Sequence, residues 1–253
     1  MRIPLLLAWA VLGGCLSKQG AAAQALVTAD SSLRAATRQM QAQYRAALGG
    51  QLGLYSGLQY GYFSSPIIQG HPFFGAGTEA STGSVSYDGQ TYAAVPLWYD
   101  LILDAVVTRR HEGPGQIRLV SERVTGFTLG PRRFVRLPAG TELTPGFYEL
   151  LYQGPDSLQV LARHSKYLYI VPGDRQGRRE YRSREQAFLR RAGRYYAISR
   201  LGSVLTALDG HRRELKKLAA ARQLSFTADN RAASAAVLAA EYDRLKAPSA
   251  TAP

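Results

Sequence analysis

The sequence contains little of what most catalytic and metal sites are made from. Among 253 residues there is one cysteine, Cys15, and there are four histidines. No two histidines have the H-x-x-x-H or H-E-x-x-H spacing that places two imidazoles on one face of a helix. The phosphate-binding P-loop, the dinucleotide pattern G-x-G-x-x-G and the G-x-S-x-G motif of hydrolases are absent as well. We therefore predict no metal site, no cofactor and no catalytic residue.

Long apolar runs are also scarce. The run that follows Arg2 has about ten apolar residues, whereas a membrane-spanning helix needs about 20. Glycines and small residues come after it, which is the order found in a secretory signal peptide. We expect residues 1–25 to be this signal peptide. The signal peptide predicts export. No later apolar run is long enough to cross a membrane as a helix, so we expect the exported remainder to be soluble, or soluble apart from a lipid on Cys15.

The signal peptide contains two competing cleavage patterns. Leu12-Gly13-Gly14-Cys15 resembles a bacterial lipobox, in which the Cys15 thiol is lipidated and becomes the new N-terminus. Ala21-Ala22-Ala23 and Ala23-Gln24-Ala25 are A-x-A sites for ordinary signal peptidase. Under either pattern the mature chain has no cysteine for a disulfide, a thiolate nucleophile or a thiolate metal site. Both patterns place the protein in the periplasm or on the outer membrane of a Gram-negative bacterium.

Positive charge is the most unusual bulk property. The chain has 31 Lys and Arg against 18 Asp and Glu, a formal net charge of +13. Fifteen basic and five acidic side chains lie between Arg163 and Lys217, so +10 of that charge is in this segment. Such a concentration attracts polyanions, and added salt weakens the attraction. For an exported protein, the polyanions within reach are lipid headgroups, lipopolysaccharide or acidic glycans. We expect no nucleic acid partner.

Residues 26–83 are expected to form an N-terminal helix and an aromatic-rich loop. Apolar side chains from Leu33 to Leu48 recur at helical intervals and end at Gly49-Gly50, which predicts a helix from about 31 to 48. From residue 55 to residue 83 the sequence is rich in glycine, serine and aromatic residues without a sustained period. Such a composition is typical of an ordered loop with short extended pieces.

Residues 84–198 have the pattern of an antiparallel β body. Asp88-Gly89 lies between two β-prone runs and predicts a tight hairpin, because a type I′ turn needs positive φ at both central residues. Further β-prone runs follow up to about Ile198, each bounded by Gly, Pro or Asp. Nine or ten short strands without crossover helices between them favour an antiparallel β-barrel or β-sandwich over a parallel sheet.

Residues 199–246 are predicted to be a C-terminal helical segment. A helical turn begins at Ser203, Asp209-Gly210 interrupts it, and a helix continues to about Arg222. A second helix is predicted after Thr227 or Asp229, and residues 247–253 are expected to be a disordered tail. The predicted fold class is thus α+β, an antiparallel β-barrel or β-sandwich body with an N-terminal helix and two C-terminal helices.

Several runs of this sequence follow one another in an order that resembles a known family. They are "YDGQTYAAVPLWYDLILDAVV", "ERVTGFTLGPRRFVRL", "GFYELLYQGP", "RAGRYYAI" and "SVLTALDGHRRELKKLAAARQLSF", followed by "AAEYDRL". Together they resemble a family of uncharacterised exported proteins of Bacteroidota. The resemblance implies export and a β-rich body with a helical tail. It assigns no activity and gives no residue a role.

Two stretches are candidate ligand-binding segments. In "YSGLQYGYFSSPIIQGHPFF", the rings of Tyr60, Tyr62, Phe73 and Phe74 can stack on sugars or on an apolar ligand, or they can cover an open edge of the sheet. "RQGRREYRSRE" brings basic residues together around Tyr181. The planar guanidinium groups suit phosphate or sulfate, and the alternative is a solvated hairpin. The arginines proposed for this contact are Arg175, Arg178, Arg179 and Arg182.

Carboxylates of the β region offer no clear catalytic pair. A glycosidase needs two that face each other, and partners can come from distant strands. The sequence singles out no pair among the candidate carboxylates of this region, which are Asp88, Asp100, Asp104, Glu122 and Glu149. We expect a non-enzymatic binding or interaction module of the cell envelope with a basic patch for anionic lipids or glycans. The alternative is an envelope hydrolase acting on a glycan or lipid.

Overall fold

A computed structural model describes residues 36–37, 39–40, 53–55, 57–62, 64–111 and 113–247 of the chain. The chain divides into two units, Met1–Leu52 and Gly53–Pro253. The predicted signal peptide with Cys15, most of the predicted N-terminal helix and most of the predicted tail lie outside the described residues. The fold that follows is that of the second unit.

Twelve strands form one sheet in the described part of this unit. They are β1 (Leu58–Tyr60), β2 (Ile68–Gln69), β3 (Ser81–Tyr87), β4 (Gln90–Asp100), β5 (Ala105–Arg109), β6 (Gln116–Arg118), β7 (Val124–Leu129), β8 (Arg132–Leu137), β9 (Gly146–Gln153), β10 (Gln159–Ile170), β11 (Arg179–Arg191) and β12 (Arg194–Ile198). Two short 3₁₀ helices, Ser121–Arg123 and Pro155–Ser157, lie between them.

The strand order is β1-β6-β5-β4-β3-β7-β8-β9-β10-β11-β12. Neighbours in this order are antiparallel, and β2 adds to β11 as a parallel partner. The order is open at both ends, so the strands do not close into the predicted barrel. They also belong to one sheet, where a sandwich has two. The coarser prediction, a mostly β protein with C-terminal helices, is confirmed.

The hairpin predicted at Asp88-Gly89 is present between β3 and β4. Asp88 has φ 52° and Gly89 has φ 78°, the positive values that a two-residue I′ turn requires. Farther along β3, a side chain at Gly83 would meet the backbone carbonyl of Thr128 on β7. Only glycine allows the two strands to approach so closely, and the pairing of β3 with β4 is irregular at this point.

An aromatic core fills the part of the sheet from β3 to β9. The Tyr99 ring contacts Phe127, Phe134 and Phe147 edge-on, with centroid distances of 5.2, 5.3 and 5.9 Å. Phe127 and Phe134 stack on each other at 4.7 Å. The Tyr99 hydroxyl donates to Asp104 Oδ1 at 2.6 Å, so the ring is buried without losing its hydrogen bond.

Three helices follow the last strand, where the sequence predicted two. They are α1 (Leu201–Leu208), α2 (Arg212–Ala221) and α3 (Arg231–Lys246). At the start of α1, Ser203 Oγ accepts hydrogen bonds from the backbone N–H groups of Ser199 and Arg200. The helix ends where Asp209 takes a left-handed conformation with φ 46°, at the predicted Asp209-Gly210 interruption.

A second core joins these helices to strands β9–β12. Fully buried leucines from the strands and helices meet there, Leu189 from β11 and Leu238 from α3 among them. Alanines occupy the contact on both sides, with Ala162 on β10 and Ala187 on β11 against the alanine-rich face of α3. Small side chains let a helix lie close to a sheet, so this pairing positions α3 over β10 and β11. No helix among the described residues is long and apolar enough to cross a membrane.

Candidate functional site

The four arginines predicted to bind phosphate lie on one long hairpin. Strands β10 and β11 pair without interruption from Gln159↔Arg190 to Ile170↔Arg179. In the turn beyond, Asp174 Oδ1 accepts hydrogen bonds from the backbone N–H groups of Gln176 and Arg178. These hydrogen bonds hold the pKa of Asp174 below its usual value. The turn is therefore closed by an ionised carboxylate.

We call residues 166–184 the arm, because none of them is buried. Two of its arginines have acidic partners: Arg178 Nη2 lies 2.8 Å from Asp174 Oδ2, and Arg182 Nε lies 2.5 Å from Glu180 Oε1. The Arg182 guanidinium also lies over the Tyr169 ring, 3.4 Å from its centroid. The side chains of Arg175 and Arg179 have no partner within the described part of the chain.

Large apolar side chains are exposed on the same arm. Tyr167 is 48% exposed, Leu168 40% and Ile170 62%. Directly opposed residues of an antiparallel pair point to the same face, so Tyr167 shares a face with Arg182, and Ile170 shares the other with Arg179. Their exposure was not predicted from the sequence. The run "YLYIV" could have indicated it. Its apolar residues do not alternate with polar ones, so neither face of the strand is polar.

The aromatic-rich loop is divided between core and surface. Tyr60 and Phe73 are buried with Trp98, and the Tyr60 hydroxyl donates to Asp100 Oδ2 at 2.6 Å. Their rings have no open face for stacking on a ligand, which corrects the prediction for these two residues. Tyr62 is partly exposed and meets Phe73 edge-on. Phe74 packs against the aromatic core and contacts His164, with centroids 5.0 Å apart.

A row of polar side chains crosses four adjacent strands, and we call it the polar row: Arg132 on β8, Glu149 on β9, His164 on β10 and Glu185 on β11. The register pairs His164 with Glu185, and it pairs Glu149 with Ala162, two residues before His164. Side chains two residues apart point to the same face of a strand. Glu149, His164 and Glu185 therefore lie on the face of the sheet that α3 covers farther along. No motif links them in the sequence.

Hydrogen bonds connect Arg132, Glu149 and His164, and a longer contact joins His164 to Glu185. Arg132 Nη1 donates to both oxygens of Glu149, at 2.9 and 3.1 Å. Glu149 Oε2 lies 2.7 Å from His164 Nε2, and His164 Nδ1 lies 3.7 Å from Glu185 Oε2. The Arg132 guanidinium lies over the Phe74 ring, 5.2 Å from its centroid. Phe74 therefore covers the row from the side of the aromatic core.

The two glutamates of the row have opposite electrostatic environments. Burial by itself would raise the pKa of Glu149, but the hydrogen bond with His164 and the charge of Arg132 outweigh it and lower that pKa. Burial raises the pKa of Glu185, and the charge of Glu149 adds to the effect. Because Glu149 is ionised, we assign the hydrogen of its bond with His164 to Nε2. This leaves His164 Nδ1 directed towards Glu185.

A cavity of about 590 Å³ opens beside the row, between β10, β11 and the segment that begins α3. His164 and Glu185 lie on its wall together with Phe74, Lys166 and Arg231. We call it the row pocket. Its size is within the usual range for small-molecule sites, about 300–1,000 Å³. The sequence did not indicate it, because its wall combines residues from separate parts of the chain, among them Phe74, His164 and Arg231.

The other candidate carboxylates have structural roles. Asp100 Oδ1 accepts hydrogen bonds from the backbone N–H groups of Ile102 and Leu103 and closes the turn after β4. Asp104 accepts from Tyr99, Asp88 lies in the β3–β4 turn, and Glu122 is exposed beside Arg136. None of these four lines the row pocket. Of the five candidates, only Glu149 belongs to the polar row.

Comparisons with known proteins add no function to this geometry. No family model, no curated protein and no solved structure matches the chain. In the described residues, no three side chains of His, Cys, Asp or Glu are placed to hold a metal ion together. The arm and the row pocket are two places in the described part of the chain from which a function can be argued.

Proposed function

We propose that this protein is an exported cell-envelope module that binds anionic lipid surfaces through the arm. One observation carries the proposal: exposed apolar side chains and a cluster of arginines occupy the same hairpin. The apolar set is Tyr167, Leu168 and Ile170, and the basic set is Arg175, Arg178, Arg179 and Arg182. Under this proposal the protein acts by binding, without catalysis.

The two sets of side chains contribute differently to binding. Each basic residue close to an anionic membrane contributes about 1 kcal/mol at most, so four together have a sizeable effect. Arg175 and Arg179 are free to contact phosphate, while Arg178 and Arg182 must share their N–H groups with Asp174 and Glu180. The apolar side chains gain free energy by leaving water, about 25 cal/mol per Å², which salt does not screen.

The combination favours a lipid surface over a soluble acidic glycan. A glycan chain can pair with guanidinium groups but offers no hydrocarbon for Leu168 and Ile170 to enter. A bilayer or the lipid portion of lipopolysaccharide offers both, with phosphates at the depth of the headgroups and acyl chains beneath. The predicted signal peptide and the resemblance to exported proteins of Bacteroidota support a location next to such surfaces, in the periplasm or on the outer membrane.

Cosedimentation with vesicles tests the proposal. The mature protein should bind anionic vesicles and lipopolysaccharide at low salt, bind neutral vesicles weakly, and release as salt is added. Changing Arg175, Arg178, Arg179 and Arg182 together to Gln should remove most of this binding. The folded state should be unaffected, because exposed substitutions usually change stability by less than about 0.5 kcal/mol.

A variant with the same loss of charge elsewhere is the matched control. Helix α2 has four exposed basic residues, Arg212, Arg213, Lys216 and Lys217. Changing these four to Gln lowers the net charge by the same amount and should leave vesicle binding nearly intact. If both quadruple variants lose binding equally, overall charge is responsible and the arm is not the binding surface.

A third variant separates the apolar contribution from the charge. Changing Tyr167, Leu168 and Ile170 to Ser keeps every arginine of the arm. Binding to anionic vesicles should become weaker and more sensitive to salt, because only the screened electrostatic attraction remains. Binding to an acidic glycan without lipid should not change. A protein that binds such a glycan as tightly as vesicles would contradict the lipid surface as the target.

A further inference from the structure

We propose that the open stretch of β11 between β2 and β12 binds an extended acidic peptide, which adds to the sheet as one more strand. We call this stretch, residues 181–186, the gap. The proposal goes beyond binding of the arm to lipid surfaces. It uses the backbone of β11 and Arg184, so either proposal can fail without the other.

Two short strands set the length of the gap. β2 pairs with β11 at Arg179 and Glu180, and β12 pairs with it from Ala187 to Arg191. Both lie on the side of β11 that faces away from β10, which pairs with β11 throughout. The six residues between them have no second strand partner within the described part of the chain. Six extended residues span roughly 20 Å, which is room for one short strand.

The backbone groups of Ser183 and Glu185 face the gap. Alternate residues of a strand direct their N–H and C=O groups to the same side. Arg179 N–H points away from β10, since it donates to the carbonyl oxygen of Ile67 at 2.8 Å. Ser183 and Glu185 follow Arg179 at even spacing without a bulge. No backbone hydrogen bond from elsewhere in the described residues reaches these two.

Open space lies next to these groups. The row pocket borders the gap, because its wall includes residues 183–188 of β11 and residues 197–199 at the end of β12. Ala228, Asp229 and Arg231 form another part of that wall. The volume of about 590 Å³ is therefore beside the unpaired edge, where an added strand has to lie. Side chains of that strand on the α3 side of the sheet would enter the row pocket.

The spacing of the free groups identifies an extended backbone as the ligand. Ser183 and Glu185 each present a donor and an acceptor, and the two sets are about 7 Å apart along the strand. A second extended backbone repeats its own donors and acceptors at the same distance, so both sets can be paired at once. A lipid headgroup or a sugar ring has no such repeat.

A second copy of this chain does not fit the gap through its own β11. In that copy, β2 and β12 project from the same edge of the strand. They would meet β2 and β12 of the first copy before the two unpaired stretches came within hydrogen-bond distance. The occupant is therefore a single extended segment of another polypeptide.

Arg184 favours an acidic residue in this peptide. Its guanidinium group has no acidic partner and no ring contact within the described part of the chain. The neighbouring Arg182 is already engaged by Glu180 and by the Tyr169 ring. Residues opposite each other on paired strands point to the same face, so a glutamate opposite Arg184 would meet its free guanidinium. Valine and threonine suit the other positions, because they favour extended backbone.

Amide hydrogen exchange measured by NMR tests whether the edge is open. In the free protein, the N–H groups of Ser183 and Glu185 should exchange much faster than that of Leu189, which lies on the same side but in the stretch paired with β12. A saturating peptide should slow exchange at Ser183 and Glu185 about tenfold or more and leave Leu189 unchanged. If Ser183 and Glu185 are already as slow as Leu189, another segment fills the gap and the proposal is wrong.

Three capped hexapeptides are the probes for this experiment. Each alternates threonine and valine and carries one glutamate, at the second, third or fourth position. Fluorescence anisotropy of labelled peptide gives the affinity, and at least one probe should bind with a dissociation constant below about 1 mM. If none binds at this level, the edge does not accept a strand.

N-methylation of the best probe distinguishes strand addition from other contacts. One form is methylated on three alternate residues and the other form on the remaining three, so their compositions match. The form methylated on the side that faces β11 loses its donors, and its affinity should fall about tenfold or more, whereas the other form should bind nearly as the unmethylated probe does. Equal affinities of the two forms would contradict pairing through one edge.

Arg184→Gln tests the acidic preference. It should weaken binding of the glutamate probe about two- to fivefold, as expected for an exposed ion pair, and leave a probe with glutamine in place of glutamate unaffected. Arg213→Gln is the control of equal charge, because Arg213 is exposed on α2 and does not line the row pocket. Equal weakening by both variants would overturn the assignment of Arg184. Vesicle binding by the arm enters none of these measurements.

Discussion

The hairpin β10–β11 has one end in the core and the other in solvent. At the base, Leu189 and the small side chains of Ala162 and Ala187 are buried under α3. At the tip, Leu168 and Ile170 are equally apolar but largely exposed. The backbone pairing is continuous from one end to the other. The same strand pairing therefore carries buried apolar side chains at one end and exposed ones at the other. The difference is that α3 covers only the base.

The polar row lies at the boundary between these two ends. His164 and Glu185 oppose each other two residues beyond the pair Ala162 and Ala187, just before the arm begins. At the base, removal of apolar side chains from water stabilises the fold. At the tip, the same kind of side chain adds no such stabilisation until a partner covers it. Under the proposed function, folding and membrane binding would use the same types of residue at different positions along one hairpin.

Shortening a buried side chain at the base of the hairpin should have the largest effect on stability. Leu189→Ala removes buried methyl groups next to α3 and should lower the free energy of unfolding by about 2–5 kcal/mol. Ile170→Ala at the tip is the control and should change it by less than about 0.5 kcal/mol. Denaturant unfolding followed by circular dichroism gives both values. Similar losses at the two sites would mean that the tip is covered in solution.

Removal of the central carboxylate of the polar row should have the next largest effect. Glu149→Ala leaves His164 and Arg132 without their shared partner and should lower the free energy of unfolding by about 1–3 kcal/mol. Glu122→Ala, which breaks the contact of an exposed side chain with Arg136, should cost less than about 0.5 kcal/mol. If both variants lose the same small amount, the row contributes no more than a surface ion pair.

The carboxyl group of Glu185 should have a smaller effect on the free energy of unfolding. Removing it should stabilise the protein at neutral pH, whereas the two changes above destabilise it. Its pKa is raised in the folded protein, so the unfolded chain releases this proton first as the pH rises. The protein should therefore lose stability from the ordinary glutamate pKa of 4.5 upwards, until the folded carboxyl has also ionised. Glu185→Gln removes this loss and should be the more stable protein at neutral pH.

Measurement of the unfolding free energy at several pH values checks this sign. The difference between Glu185→Gln and the unchanged protein should disappear at low pH, where the carboxyl is protonated in both the folded and the unfolded state. A variant that is less stable than the unchanged protein at neutral pH would show that ionised Glu185 stabilises the fold. The environment inferred for the row would then be wrong.

Removal of the ion pair in the turn of the arm should have the smallest effect on stability. Arg178→Gln removes the contact with Asp174, whose carboxylate keeps its hydrogen bonds from the backbone. We expect no measurable change in the denaturant midpoint at either low or high salt, because exposed pairs contribute little. A clear loss at both salt concentrations would indicate that the arm is more ordered than its exposure implies.

Local features of the fold could be predicted from the sequence, and the candidate sites only in part. The Asp88-Gly89 turn and the interruption at Asp209-Gly210 depend on the φ values that a few adjacent residues prefer, so both were predicted at their positions. The arginines of the arm were also predicted, since they are close together in the chain. The polar row was not, because Glu149, His164 and Glu185 meet only through the pairing of β9, β10 and β11.

The sequence by itself determined the strands, the turns between them, the helical C-terminal segment and the concentration of positive charge. These follow from local backbone preferences, side-chain alternation and composition, which need no knowledge of distant contacts. Only the tertiary structure decided that the strands form one open sheet, that α3 covers the base of β10–β11 but not its tip, and that Glu149 and Glu185 face His164. Each of these depends on strand register and on which surfaces exclude water, and both are properties of the assembled chain.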